Sequence, residues 1–225
     1  MLPKGTGKLE RDLAIERSEV TVLCCLVFDS NDALQPEVNW EDARKKAKEY
    51  TFWRDVAKQG EGPFDGALAL FDDTEAIVAY NGLGFDMCVI SKYYGMSKKS
   101  QHRRMTHRMK LLDPMTRISD ALDVRYPNLN HLLWQNGLAQ KTSHGVEAIG
   151  MWERGERERL QDYCMKDVEA LSKLVLLRTM KYSEDTILPN AVHGVASFVL
   201  AQRAVAALPT DGDWTLVESG AAFSA

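Results

Sequence analysis

What this chain has little of narrows it first. It carries only 4 cysteines in 225 residues, too few to brace a chain of this length. None stands in Cys-x-x-Cys spacing, which excludes a disulfide scaffold and argues against a thiolate zinc site. Cys24 and Cys25 sit side by side in an apolar run, while Cys88 and Cys164 fall on predicted helices. All four read as small buried thiols in a reducing compartment. No apolar run reaches membrane-spanning length, and the charged N-terminus does not read as a secretory signal. The expectation is an intracellular protein, cytoplasmic or nuclear, with no membrane partner. A strong charge of either sign is also missing. The net charge is −4, so any nucleic-acid contact must come from a local basic patch and not from bulk charge.

What is there is an ordinary globular balance. Apolar residues make up 45% and charged residues 27%, enough for one domain with a sizeable core. Residues 1–10 and the tail 209–225 read as loose, leaving 11–208 as the folded unit. Residues 13–16 form a short alternating segment. Three residues later, 20–28 is a nearly continuous β-branched, apolar run, read as a buried central strand. The short link between them suggests a hairpin. The stretch 40–59 is charged and helix-permissive. A short amphipathic helix is expected over 66–71, a buried strand over 76–80, and a helix from 85 towards 94. The dipeptide Leu111-Leu112 reads as a strand end. Helices are expected over 129–134, 146–152, 156–180 and 192–208. Along 156–180 the apolar positions Leu160, Cys164, Val168, Leu171 and Val175 mark one core face. Trp134 and Trp152 read as core anchors. Early strands followed by accumulating helices predict an α/β layer structure with a mixed sheet.

Two distant segments carry the chemistry. Asn81-Gly82-Leu83-Gly84-Phe85-Asp86 follows a strand and opens a helix, placing Asp86 at the edge where α/β sheets present ligand-binding groups. An Asp at a helix start is also an ordinary cap. In Tyr163-Cys164-Met165-Lys166-Asp167, Tyr163 and Asp167 share one helix face, as many surface pairs do. Glu16 lies on the first strand, and position 14 shares its face about 6.6 Å away by strand rise.

Taken in order, an acidic residue on strand one, an Asn-x-x-x-Phe-Asp turn and a Tyr-x-x-x-Asp helix resemble the DEDD exonucleases with a tyrosine in the third motif. This is the proofreading-exonuclease family on a ribonuclease H-like fold. The resemblance covers roughly residues 11–180, and Lys110-Leu111-Leu112-Asp113 is similar to the family's strand before its helical half. It implies a mixed central sheet flanked by helices in a single domain, and hydrolysis of phosphodiesters at a 3′ end. Two divalent cations, Mg²⁺ or Mn²⁺, are implied, held by Glu16, Asp86 and Asp167, with Tyr163 orienting the attacking water. Carboxylates suit such hard ions. Ile15, Asn81, Leu83 and Phe85 are the implied contacts to nucleic acid. Leu83 and Phe85 would wedge against or stack on the terminal base, unless they pack in the core. The partner is a single-stranded 3′ end, DNA favoured over RNA. An RNase H-like endonuclease or integrase fits less well, because of the spacing of Tyr163 and Asp167.

The basic segment 98–110, with Arg103, Arg104 and Arg108, can track a phosphate backbone or stand as a solvated loop. Lys141 and His144 add cationic groups to the same cleft.

The departure is Ala14. The family's bridging aspartate belongs here, and a methyl group ligates no metal. Asp12 lies about 13 Å from Glu16 by strand rise, too far to substitute. Either an aspartate has been exchanged for alanine, which traps substrate uncut, or the chain is an exonuclease-like protein that binds without cutting. The survival of the other motif residues favours the first.

Overall fold

The computed structural model describes residues 18–29, 38–56, 61–140, 145–177 and 179–189. The expected first strand with Ala14, Ile15 and Glu16, the residues Lys141 and His144, and the expected helix over 192–208 lie outside them. What is described is a mixed α/β structure.

The run read as a central strand forms β1 (Val22–Val27), paired antiparallel with β2 (Lys48–Trp53) in the register Cys24 opposite Thr51. Only Cys24 in β1 is fully buried, so the strand is less enclosed than its apolar run suggests. The stretch 40–59 is not one helix. It begins as α1 (Trp40–Lys46), where Asn39 Oδ1 accepts from the N–H groups of Glu41 and Asp42. Ala47 then turns extended and β2 starts. The aromatic and β-branched content of Tyr50-Thr51-Phe52-Trp53 explains the change.

Next come α2 (Asp65–Asp73), β3 (Ile77–Val78), α3 (Asp86–Ile90), a 3₁₀ turn (Ser91–Tyr93), α4 (Lys98–Lys110) and β4 (Leu111–Leu112). β3 and β4 are parallel neighbours, Ile77 beside Leu111 and Val78 beside Leu112. The segment 77–112 is therefore a β-α-β unit, and the C-terminal ends of its strands lie side by side. The basic segment is a helix and not a loop. Ser97 caps its start by accepting from Ser100 N–H.

The second half is helical. α5 (Pro114–Leu122) follows directly, then α6 (Leu129–Gln135), α7 (Gly145–Glu153) and α8 (Arg157–Leu176). α8 stops short of the predicted 180 because residues 179–181 form β5 (Thr179–Lys181), paired antiparallel with β6 (Ile187–Pro189). Trp134 is not a core anchor: it is 62% exposed on α6. Trp152 is half-buried and stacks on Trp53 at 6.3 Å. Among the described residues no helix is long and apolar enough to cross a membrane.

Two apolar clusters define the layers. The first joins Leu68 and Phe71 of α2 to Met87 and Ile90 of α3 and Leu111 of β4. Leu23 and Cys25 of β1, and Ile77 and Ala79 at β3, pack against it. The second joins Ile118, Leu132, Leu133, Leu174 and Met180, and Tyr80 packs against that one. Cys24, on the opposite face of β1 from Leu23 and Cys25, reaches the carbonyl of Gln161 in α8 at 4.0 Å. Both strand pairs thus lie between the same layers, α2 and α3 on one side and the α8 side on the other, as period-2 alternation requires.

Gly82 fits tightly into the end of this unit. A methyl group there would stand 2.7 Å from Ala79 Cβ and 3.2 Å from Leu111 Cδ2. Gly82→Ala should cost on the order of 1–3 kcal/mol, the usual scale of overpacking. A denaturant titration that leaves the midpoint unchanged would show that the contact relaxes without cost.

Candidate functional site

The Asn81–Asp86 turn leaves the C-terminal end of β3. Asn81 sits in left-handed backbone at φ 61°, a conformation Asn tolerates better than most residues. Phe85 N–H donates to Asn81 O at 2.9 Å and Met87 N–H to Gly82 O at 2.8 Å, folding the turn into α3. Asp86 is the first residue of that helix and is exposed. A carboxylate is favoured there by the partial positive charge of the helix start. The two apolar residues of the turn divide between the readings left open by sequence. Leu83 packs on the first core cluster, whereas Phe85 is 46% exposed.

A carboxylate outside the candidate ligand set holds this turn. Asp113, at the end of β4, is only 4% exposed. Its Oδ1 accepts from Asn81 N–H at 2.9 Å and Met115 N–H at 3.1 Å, and its Oδ2 from Leu83 N–H at 3.2 Å. Its sequence signals are its place at the end of Lys110-Leu111-Leu112-Asp113 and its position just before the proline that opens α5, an N-cap pattern.

Tyr163 and Asp167 do share a face of α8. Burial, with the negative charges of Asp167 and of Glu147 on α7, pushes the Tyr163 phenol above its usual range. The phenol therefore stays protonated and remains a hydrogen-bond donor at neutral pH. Glu147 enters this environment without any sequence signal beyond its place in the first turn of α7.

The same stretch of α8 is fixed to β1 by thiols. The Cys24 thiol donates to Gln161 O at 4.0 Å and lies 3.9 Å from Thr51 Oγ1. The neighbouring Cys24 thiol, together with burial, holds the Cys164 thiol above the ordinary range. Burial lifts Cys25 to about 12. Cys164 and Cys25 therefore stay neutral and act as packing groups.

The basic helix is partly committed to structure. Arg103 binds the Asp72 carboxylate through Nε at 2.9 Å and a terminal nitrogen at 2.5 Å. Lys110 Nζ donates to the carbonyls of Phe71 and Asp72 at 3.1 and 2.7 Å. His107, fully buried, donates from Nε2 to Asp72 at 2.7 Å and accepts from the Tyr94 hydroxyl at Nδ1, 2.6 Å away. These groups supply cations and donors to the C-terminal end of α2, which has no basic residue in its own last turn. Arg104 and Arg108 are exposed, so any phosphate contact from this helix falls to them before Arg103. Asp72, Lys99, His102, Arg103 and Thr106 line an open cavity of about 430 Å³ on this side.

Burial pushes the His107 imidazole below its usual value, against the opposing pull of Asp72. The neutral ring belongs to the fold, so its contribution is complete above the unfolded value of about 6.5 and is lost as pH falls towards the folded one. Thermal melting at pH 7.5 and 5.0 should show a loss of up to about 1.4 kcal/mol per pH unit. His107→Gln should flatten that slope, and a melting point that rises on acidification would reverse the assignment.

Among the described residues no three His, Cys, Asp or Glu side chains form a metal-holding group. Of the sequence-predicted carboxylates, Asp86 and Asp167 are described, on different elements, and Glu16 is not. As hard oxygen donors they fit Mg²⁺ or Mn²⁺ in kind. The chain matches no family model, and it has no match among curated proteins or among solved structures.

Proposed function

We propose that this chain is a metal-dependent 3′–5′ exonuclease on a ribonuclease H-like fold, present here in a form impaired by Ala14. The observation that carries the reading is the pair Tyr163 and Asp167, one turn apart on one face of the helix packed against β1, with the Asp167 charge acting on the phenol. Chance pairs at this spacing are common, but this one recurs with an Asp delivered by a tight turn from the end of a parallel strand. The two strand pairs also suit a ribonuclease H-like sheet: one antiparallel, one parallel, between the same two layers.

The chain's own groups then divide the work. Tyr163, protonated, orients the water that attacks the terminal phosphorus. The phosphorus–oxygen bond to the preceding nucleotide's 3′ oxygen breaks, releasing a nucleoside monophosphate. Asp86, Asp167 and Glu16 would hold two divalent cations, which when bound supply Lewis acidity and charge neutralisation for both oxygens. Phe85, half-exposed beside Asp86, offers a ring to the terminal base. Arg104 and Arg108 meet the backbone, and single-stranded DNA is favoured over RNA.

Ala14 itself supports a second reading, an exonuclease-like protein that binds nucleic acid without cutting. One substitution separates the two. Ala14→Asp should restore Mg²⁺- or Mn²⁺-dependent trimming of a 3′-labelled oligonucleotide. Salt-dependent binding with no trimming in the folded, metal-supplied variant would leave the second reading standing.

A further inference from the structure

We infer that Asp113 is a positioning residue for the candidate site: its carboxylate sets the turn that delivers Asp86. The inference rests on the exonuclease reading and extends it to a residue outside the motifs.

An N-cap needs one hydrogen bond, and Asp113 gives that bond to Met115 N–H at 3.1 Å. Its other two acceptor contacts serve a different element. Asn81 N–H and Leu83 N–H, 32 and 30 residues away in sequence, converge on the same carboxylate at 2.9 and 3.2 Å. The parallel pairing of β3 and β4 makes this possible by bringing both strand ends to one edge. A buried carboxylate is costly to place, and capping alone does not require one, because Asn caps a helix equally well.

The turn needs outside support. Asn81 holds a positive φ of 61°, which a non-glycine residue keeps only where its surroundings over-determine it. α3 has 5 residues, far below the length at which a helix sustains itself. Its direction, and with it the place of Asp86, is therefore inherited from the turn. Leu83 packing and the Gly82 contact fix one side of that turn. Asp113 fixes the backbone on the other, as the outer partners of metal-binding carboxylates do.

The discriminating variant is Asp113→Asn in a chain that also carries Ala14→Asp. Asparagine can keep the cap of α5 by placing its one acceptor oxygen on the Asn81 and Met115 N–H groups, and the Leu83 bond is then lost. The measurements are kcat, KM for a 3′-labelled single strand, the Mn²⁺ concentration for half-maximal rate, and the melting temperature. The expected result is a fall of roughly 10–100-fold in kcat or metal affinity, with KM for the oligonucleotide nearly unchanged. Unchanged kcat and metal dependence would reduce Asp113 to a helix cap. If Ala14→Asp alone shows no trimming while folded, the exonuclease reading fails and this inference falls with it. Should Asp113→Asn not fold, hydrogen exchange in the unaltered chain decides. Slow exchange at Asn81 and Leu83 supports the clamp, and free exchange there overturns it.

Discussion

Replacing Ala14 by aspartate should raise metal-dependent release of a 3′ label by on the order of 10³-fold or more, the scale on which single members of a catalytic group act. The size of the effect follows from what is missing. On the exonuclease reading, Glu16 belongs to the same metal-binding set. Asp86 and Asp167 are supplied by α3 and α8. What the set lacks is a carboxylate at position 14. Without it the residues that would hold the cations are one carboxylate short, and the Lewis acidity and charge neutralisation such cations would supply to the attacking and leaving oxygens would fall. The gain should vanish on chelation and return with Mn²⁺. Binding of the oligonucleotide should change far less than the rate, because the phosphate contacts assigned to Arg104 and Arg108 are untouched.

The second large effect concerns the pair on α8. In the Ala14→Asp background, Asp167→Asn should remove nearly all of the restored activity, since it keeps the shape but deletes a carboxylate proposed to hold metal. Tyr163→Phe should lower the rate by roughly 10²-fold, within the range ascribed to a positioned proton-handling group. Both changes should cost only about 1 kcal/mol in stability, the typical worth of one hydrogen bond. That contrast separates the readings. If Tyr163 and Asp167 were only a helix-surface pair, rate and stability would both move little, and a Tyr163→Phe chain trimming at full speed would show it.

Much of this arrangement was legible in the sequence because it is local. The α8 helix follows from a 3.6-residue period, but its buried face is only partly the expected one: Leu160 and Val175 are buried with Met165 and Leu174, while Cys164, Val168 and Leu171 are half-buried. The strand before Asn81 and the helix after Phe85 are announced by an apolar run meeting an Asn-Gly turn. What was not legible depends on partners far along the chain. β2 was hidden inside a charged stretch because Lys48 and Glu49 are exposed, and only pairing with β1 makes them strand residues. The charge of α4 concealed a buried imidazole, since His107 gains its burial from Tyr94, Phe71 and Asp72. α5 begins at a proline, which reads as a break until Asp113 is seen to cap it. In the sequence Asp113 is only the end of the segment Lys110-Leu111-Leu112-Asp113. Its second role exists only because a parallel strand places residue 113 beside residue 81.

Trp134 shows the opposite error. Hydrophobic character predicts burial on average, but a side chain with one apolar face can stay outside. Here it lies at 62% exposure beside His131, with ring centres 6.4 Å apart.

The most direct measurement follows the Ala14→Asp chain acting on single-stranded oligonucleotides, 3′-labelled, 5′-labelled and circular, as DNA and as RNA, with Mn²⁺ and with chelator. The account predicts release of the 3′ label as mononucleotide, a descending ladder from the 5′-labelled strand, an intact circle, and no change under chelation. A folded, metal-supplied protein that leaves the 3′ label in place, or that opens the circle, would contradict it.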